Sequence, residues 1–351
     1  MADVSIAGVG LRGVASAVPH RTEGPADLAA AFGEAEAKKL QSNTGVHTRH
    51  IGRPDQCTSD LCCAATQTLL QDLHWDLPSV DALLFVSQTF DYFVPATSCC
   101  LHGRLGLSKH CAVFDVGMGC SGYIYGLWIA ASLMKSGLKR ILLLAGDTSA
   151  KPVSPLDRSA KPLFGEAGTA TALEADPNAL LHFSLGTDGQ GWPHLIIPAG
   201  AFRKRPDAET RIPIQGPDGN TRSAEDLYMN GPEVFTFTLR EVPPLLTRIL
   251  AQSGFNREEV DYFVFHQANK FMLDYLAKRM GLPSHKVPLS LGEFGNTSSA
   301  SIPLTIQHCL RPQLSQKSAK LVMAGFGVGL SWGAAAGVIG PLCLPEIQYL
   351  A

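Results

Sequence analysis

No apolar stretch of this sequence is long enough to make a membrane-spanning helix. The start, "MADVSIAGVGLRG", lacks the basic n-region and extended apolar run of a secretory signal and reads instead as a strand and turn. Charge is scarce and balanced. Asp, Glu, Lys and Arg make up 17% of 351 residues and the formal net charge is −2, which offers no global attraction to nucleic acid or an anionic membrane. There is no CxxC pair and no Cys/His spacing suited to a metal, so no metal site is expected. The nine cysteines, an odd number in a chain this long, fit reduced thiols better than a disulfide framework. The expectation is a cytoplasmic protein without a membrane or nucleic-acid partner.

What the chain does have is repetition. "VDALLFVSQ" (80–88) returns as "VDYFVFHQ" (260–267), "GRLGLSKHCAVFDVGMGCSGYIYGL" (103–127) as "KRMGLPSHKVPLSLGEFGNTSSASIPL" (278–304), and "LKRILLLAGD" (138–147) as "SAKLVMAGFG" (318–327). A near-constant offset over three ordered blocks implies two similar halves, expected at 1–175 and 176–351. Each half reads as alternating short apolar strands (Leu83–Val86, Val113–Val116, Ile141–Leu144; Phe263–Phe265, Val287–Leu289, Leu321–Met323) and helices. Continuous apolar strands suit a sheet covered on both faces, so the fold class is α/β, two stacked copies in five α/β/α/β/α layers. A loop at 151–168 and a Pro- and Gly-rich excursion at 198–226 interrupt the pattern. The cations of the excursion, Arg203, Lys204, Arg205 and Arg211, suit either solvent or an acidic partner.

Within "AVFDVGMGCSGYIYGLWIAASL" (112–133), Cys120 stands between glycines after a strand pattern and before a helical one. Alone it reads as a small core cysteine or as a nucleophile whose thiolate a helix N-terminus favours. Asn296 occupies the matching turn of the second half, and His266 ends the strand of "YFVFHQAN". Separately these are a turn asparagine and a strand-end histidine. Together, at corresponding ends of a repeat, they point to one site. The order Cys, His, Asn also occurs in papain-like proteases, but their local cysteine signature is absent and a duplicated chain does not suit that fold.

Ordered motifs over nearly the whole chain resemble the β-ketoacyl-acyl carrier protein synthase III family, of the thiolase fold. They are "FDVGMGCSGYIYG", "FHQAN", "GNTSSASIP" and "GFGVGLSWG", with "NTGVHTRH", "LDRSAKPLFGEAGTA" and "YMNGPEVF" beside them. The resemblance implies that Cys120 is acylated from a thioester, with the backbone amides of Cys120 and Val328, beside Gly327, as oxyanion hole. It also implies that His266 and Asn296 then stabilise the enolate formed when a malonyl thioester loses carbon dioxide. Phe326 would sit beside the nucleophile, Asn269 would brace the site, and Val94 would lie in a homodimer region reaching the partner's acyl pocket. Arg158 and the position of Lys39 correspond to coenzyme A contacts, and Lys278 and Arg279 to carrier-protein contacts. No cofactor is implied, and the substrates are coenzyme A or phosphopantetheine thioesters. Lys39 and Asn43 replace the tryptophan and arginine usual at the coenzyme A site, and Pro232 replaces a polar pantetheine contact. These departures point toward a carrier-protein donor or a bulky acyl group, as in polyketide- or alkylquinolone-type specialised metabolism. The alternative is an acyltransferase that passes the acyl group to an O, N or C nucleophile without decarboxylation; a third reading, a non-enzymatic partner subunit, is disfavoured by the intact cysteine and histidine.

Overall fold

The computed structural model describes residues 2–351. Two sheet layers share two long strands, β1 (Ala2–Pro19) and β7 (Ala167–Thr187), antiparallel to each other along their lengths from Ala2↔Leu185 to Ala17↔Gly168. In the first layer β4 (Ala82–Val86) lies parallel between β5 (Ala112–Val116) and β6 (Arg140–Asp147), and β6 joins the first half of β7 antiparallel. In the second, β12 (Tyr262–Phe265) is parallel to β13 (Ala319–Gly327), which pairs with β14 (Ser331–Ile339) and so with the second half of β7. β15 (Gln348–Leu350) pairs parallel with the end of β1. The register of β1 against β7 slips between Ala7 and Val9, where β7 passes from one layer to the other.

Helices α5 (Gly122–Met134) and α9 (Ser301–Leu314) fill the space between the sheets. Helices α3 (Thr58–Leu73) and α4 (Thr97–Leu105) cover the outer face of the first sheet, and α6 (Gly231–Ser253) and α7 (Lys270–Arg279) that of the second. This is the expected α/β/α/β/α stack. The strands explain it residue by residue, because side chains alternate in direction along a strand. Leu84 and Val86 of β4 join the central core while Leu83 and Phe85 join the outer one. On the other sheet Val264 points inward, and Phe263 and Phe265 point out toward α6 and α7. Helix α5 is apolar nearly all round because it has a sheet on either side.

One expected strand is missing. Val287–Leu289, the counterpart of β5, follows a short 3₁₀ turn and forms no ladder. Pro288 at its centre has no N–H to donate, and its carbonyl accepts instead from the Gln267 side chain at 3.5 Å. The excursion at 198–226 is anchored rather than free. Its hairpin of β9 (Ile214–Gln215) and β10 (Thr221–Arg222) carries Arg222 onto the buried Asp157. The Asn220 side chain accepts from Arg158 N–H at 2.9 Å and donates to Ser159 Oγ at 3.0 Å. Smaller pairings support the ends of the molecule: β2 (Thr22–Glu23) with β3 (Arg49–His50), and β8 (Leu195–Ile196) with β11 (Tyr228–Met229). Helices α1 (Pro25–Phe32), α2 (Glu34–Thr44) and the four-residue α8 (Leu291–Phe294) complete the elements used below. Among the described residues no helix is long and apolar enough to cross a membrane.

Candidate active site

Cys120 lies two residues before the first residue of α5, in the tight turn closed by Gly122 N–H donating to Gly119 O at 2.7 Å. Across from it runs the end of β13. A Cβ on Gly327 would stand 2.7 Å from Cys120 Cβ and 2.9 Å from its sulfur, so only glycine lets that strand pass. The turn after Gly327 is tied to the start of α5: Ser331 Oγ donates to Val328 O at 2.8 Å and shares a 2.7 Å hydrogen bond with Ser121 Oγ. Val328 N–H points at the sulfur. The thiol nonetheless departs from the depressed value expected of a cysteine at a helix start. Burial pushes it up to about 11, outweighing hydrogen bonds from Val328 N–H and the Ser298 hydroxyl.

His266 follows β12, its N–H bonded to Ala324 O at 2.8 Å. Burial lowers its imidazole to about 4, so the ring is neutral at pH 7. Nδ1 lies 2.8 Å from Ser301 Oγ and the ring meets Phe326 edge-on at 5.7 Å. Asn296 is held on both sides by the loop before β7: its N–H donates to Leu163 O at 2.9 Å and its carbonyl accepts from Gly165 N–H at 3.1 Å. Its side-chain orientation is fixed because Oδ1 accepts from Ser298 N–H at 2.9 Å. Nδ2 gives one hydrogen to Ala268 O at 3.4 Å, which leaves the other for a ligand. The loop carrying Leu163 and Phe164 is braced in turn: Arg49, itself buried, donates to Phe164 O at 2.8 Å and pairs with Glu23, which also meets Lys161 at 2.9 Å.

Cys120 separates two cavities. One, of about 70 Å³, brings it together with His266, Asn296, Asn269, Phe326 and Gly327. The other, of about 80 Å³, has apolar walls of Phe164, Leu195, Ile197 and Leu227 and a polar floor of Asp147, Ser298 and Gln88. Asn269 caps α7, its Oδ1 accepting from Met272 N–H at 2.8 Å. Asn43 and Ser159 stand at the mouth with Phe271. The charged residues named from the sequence lie farther out and line neither cavity. Arg158 and Lys39 are exposed, Lys39 beside Glu36 at 4.0 Å, and Lys278 and Arg279 are exposed at the far end of α7. Val94 is 84% exposed, with Tyr92 and Phe93 beside it. Sequence reasoning missed Asp147 and Ser298. Asp147 closes β6 as one acidic residue after an apolar run, and Ser298 is one serine of "NTSSAS"; only packing brings both to the cysteine. Among the described residues no group of three or more His, Cys, Asp or Glu side chains is placed to hold a metal ion.

Comparison with known proteins agrees with this fold. Residues 114–189 match the 3-oxoacyl-[acyl-carrier-protein] synthase III family model and residues 250–338 its C-terminal model. A 3-oxoacyl-(acyl-carrier protein) synthase from Burkholderia xenovorans LB400 superposes with a TM-score of 0.93 at 42% identity over 99% of each chain. The β-ketoacyl-[acyl-carrier-protein] synthase III of Thermosynechococcus vestitus is 34% identical over 95% of this chain and 98% of its own. The priming β-ketosynthase of the R1128 polyketide biosynthetic pathway superposes at 0.83 with 26% identity, over 97% of this chain and 98% of that one. A thiolase-type fold with this cavity defines a condensing enzyme, and the chain belongs to the 3-oxoacyl-[acyl-carrier-protein] synthase III family. It is an enzyme of that type, a ketosynthase and so a transferase.

Proposed function

We propose that Cys120 takes an acyl group from a thioester and that the acyl-cysteine then undergoes Claisen condensation with a malonyl thioester, which loses carbon dioxide, or with a β-keto thioester, which loses an α-proton instead. Sulfur attacks the thioester carbonyl, and the amides of Cys120 and Val328 bind the resulting oxyanion. After the first thiol leaves, the second thioester enters the cavity holding His266 and Asn296. The free Asn296 Nδ2 hydrogen and an Nε2–H of neutral His266 donate to its carbonyl as carbon dioxide departs. The carbanion attacks the acyl-cysteine and sulfur is released. Donation through Nε2 makes Nδ1 the acceptor, and Ser301 Oγ, 2.8 Å away, must then turn toward it the hydrogen it otherwise gives to Ser298 O at 2.8 Å.

The observation that carries this reading is the free Asn296 donor in the same cavity as a neutral His266 and Cys120. It favours condensation over acyl transfer to an O, N or C nucleophile, because heteroatom transfer needs no enolate-stabilising pair. The apolar cavity beyond Cys120 suits the acyl chain. Substrates are coenzyme A or phosphopantetheine thioesters and no cofactor takes part. Asn43 at the mouth and the exposed Lys39 farther out, in place of the residues usual at a coenzyme A site, support an acyl carrier protein as donor, with Lys278 and Arg279 as its basic contacts. Similarity to a polyketide priming ketosynthase supports a specialised pathway. A homodimer is supported by the exposed Tyr92–Phe93–Val94 loop beside β5, a strand paired on one side only. The division into halves 1–175 and 176–351 is part of the same proposal, as is a cytoplasmic setting.

The test is intact mass with peptide mapping after incubation with acyl-coenzyme A and acyl-carrier-protein thioesters, followed by malonyl thioester. An adduct on Cys120 that converts to a β-ketoacyl product is expected, and loading from carrier protein alone would confirm the donor. A product lacking a new carbon–carbon bond would favour the acyltransferase alternative. An unchanged product from Cys120→Ala would end the catalytic reading.

A further inference from the structure

Ser121 holds the position from which a serine ordinarily caps a helix. From there a hydroxyl usually turns back onto the unpaired amides of the first turn. The Ser121 carbonyl opens α5 in the usual way, accepting from Ile124 N–H at 3.1 Å and Tyr125 N–H at 3.3 Å. Its hydroxyl makes no cap bond and points instead to Ser331 Oγ at the start of β14, 2.7 Å away and 210 residues distant in the chain. Both serines are buried. A hydroxyl has one hydrogen to give. Ser331 gives its own to Val328 O at 2.8 Å, a carbonyl that can only accept. The hydrogen between the two serines therefore comes from Ser121, and the order is fixed: Ser121 to Ser331, and Ser331 to Val328.

This chain of hydroxyls joins the two turns that meet at the thiol. Ser121 follows Cys120 directly, and Val328 lines a cavity with Cys120. The Val328 amide is held from one side by β13, whose last residue, Gly327, pairs with Ser331 across the hairpin. On its other side the Val328 carbonyl has the Ser331 hydroxyl. Gly329, at φ +137°, adds a permissive residue just beyond, so the hydroxyl is what restrains the turn there. The outer part of the turn is tied independently. Asp188 N–H donates to Leu330 O at 2.9 Å and Leu330 N–H to Asp188 O at 3.1 Å, which keeps the hairpin in place without the serines.

We propose that Ser121 and Ser331 are positioning residues for acylation, a two-hydroxyl clamp that holds the Val328 amide in register with Cys120. The clamp rests on the proposed function, because an aimed amide matters only where negative charge develops on an acyl oxygen. Sulfur bonds to the acyl carbon, and the carbonyl electron pair moves to oxygen, where the amides of Cys120 and Val328 hold it. The pair returns as the bond to the departing thiol breaks, and the proton from Cys120 leaves with that thiol. The serines keep their own protons throughout.

The experiment sets two reactions of the same thiol against each other. Octanoyl-N-acetylcysteamine acylates Cys120 through an oxyanion, whereas iodoacetamide alkylates it at a saturated carbon without one. Both rates are read by intact mass at one pH for wild type, Ser121→Ala, Ser331→Ala, the double variant and Ser331→Thr, which keeps the hydroxyl. Ser331→Ala should acylate about 30-fold more slowly, short of the roughly 100- to 1,000-fold lost with an oxyanion donor, and alkylate at the wild-type rate. Ser121→Ala should lose about threefold, since the Ser331 bond to Val328 survives it. The double variant should be no slower than Ser331→Ala, because Ser121 acts only through Ser331. Ser331→Thr should stay near wild type. Acylation and alkylation that fall together would mean that the thiol itself had moved, and equal acylation in every form would mean that the amide needs no clamp. Either result overturns the proposal and leaves the function standing. A wild type that takes an acyl group from none of the N-acetylcysteamine, coenzyme A and carrier-protein thioesters would end the proposed function, and the clamp with it. Should Ser331→Ala not fold, Ser121→Ala carries the same comparison, since it removes no cap bond from α5.

Discussion

A thiol near 11 and an imidazole near 4 cannot rest as a thiolate–imidazolium pair at neutral pH, although both line one cavity. The sequence made Cys120 an activated-thiolate candidate from its place before a helix. Burial decided otherwise, and burial is a property of the packed second half rather than of the local turn. His266 has a consequence for stability. Its folded pKa lies below the 6.5 of an exposed imidazole, so the unfolded chain takes up the proton first as pH falls. The stability it contributes is complete above pH 6.5 and is lost on acidification toward pH 4. We expect a loss on the order of 3 kcal/mol from this residue, seen as a smaller acid-induced drop in denaturant midpoint for His266→Gln than for wild type. Gly327→Ala tests the close approach to the nucleophile. A methyl group 2.7 Å from Cys120 Cβ must displace the sulfur, and a 1 Å misplacement is worth about 100-fold in rate. Acyl loading should fall by at least that factor, measured beside the melting temperature to show that the fold survives.

Among the elements, the buried strands were legible because each is a short apolar run with both faces covered. Val287–Leu289 misled for the same reason, since the run is apolar but Pro288 cannot join a ladder. The loop "GEAG" shows what motif reading misses. Gly165 matters through a backbone contact: a Cβ there would lie 1.9 Å from Phe294 O, within the turn that carries Asn296. Gly165→Ala should therefore cost at least about 3 kcal/mol by chemical denaturation, with loss of β-ketoacyl product from any protein that still folds. Gly103 is the contrast. It sits exposed in α4 with no atom within 4 Å of the place an alanine methyl would take, so Gly103→Ala should raise stability by about 0.5–1 kcal/mol.

For the molecule as a whole, the exposed loop Tyr92–Phe93–Val94 and the open edge of β5 predict a dimer through that face. Phe93 is 74% exposed and its ring stands 5.4 Å from that of the equally exposed Phe202. Phe93→Asp should shift light-scattering mass from twice the chain weight toward the 37.5 kDa monomer, and an unshifted mass would move the interface elsewhere. Much of the architecture was legible in one dimension. Repetition at a steady offset, strand-length apolar runs and the turns bearing Cys120, His266 and Asn296 are local patterns, and local patterns survive in sequence. Sequence also marked the changed residues Lys39, Asn43 and Pro232. Only the tertiary structure decided the ionisation of the thiol and imidazole, because desolvation depends on neighbours drawn from both halves. Only it brought Asp147 from the end of β6 to Ser298 and Cys120, and set Lys278 and Arg279 away from the cavities. Those facts depend on distance in space between residues far apart in the chain, which no spacing along the sequence encodes.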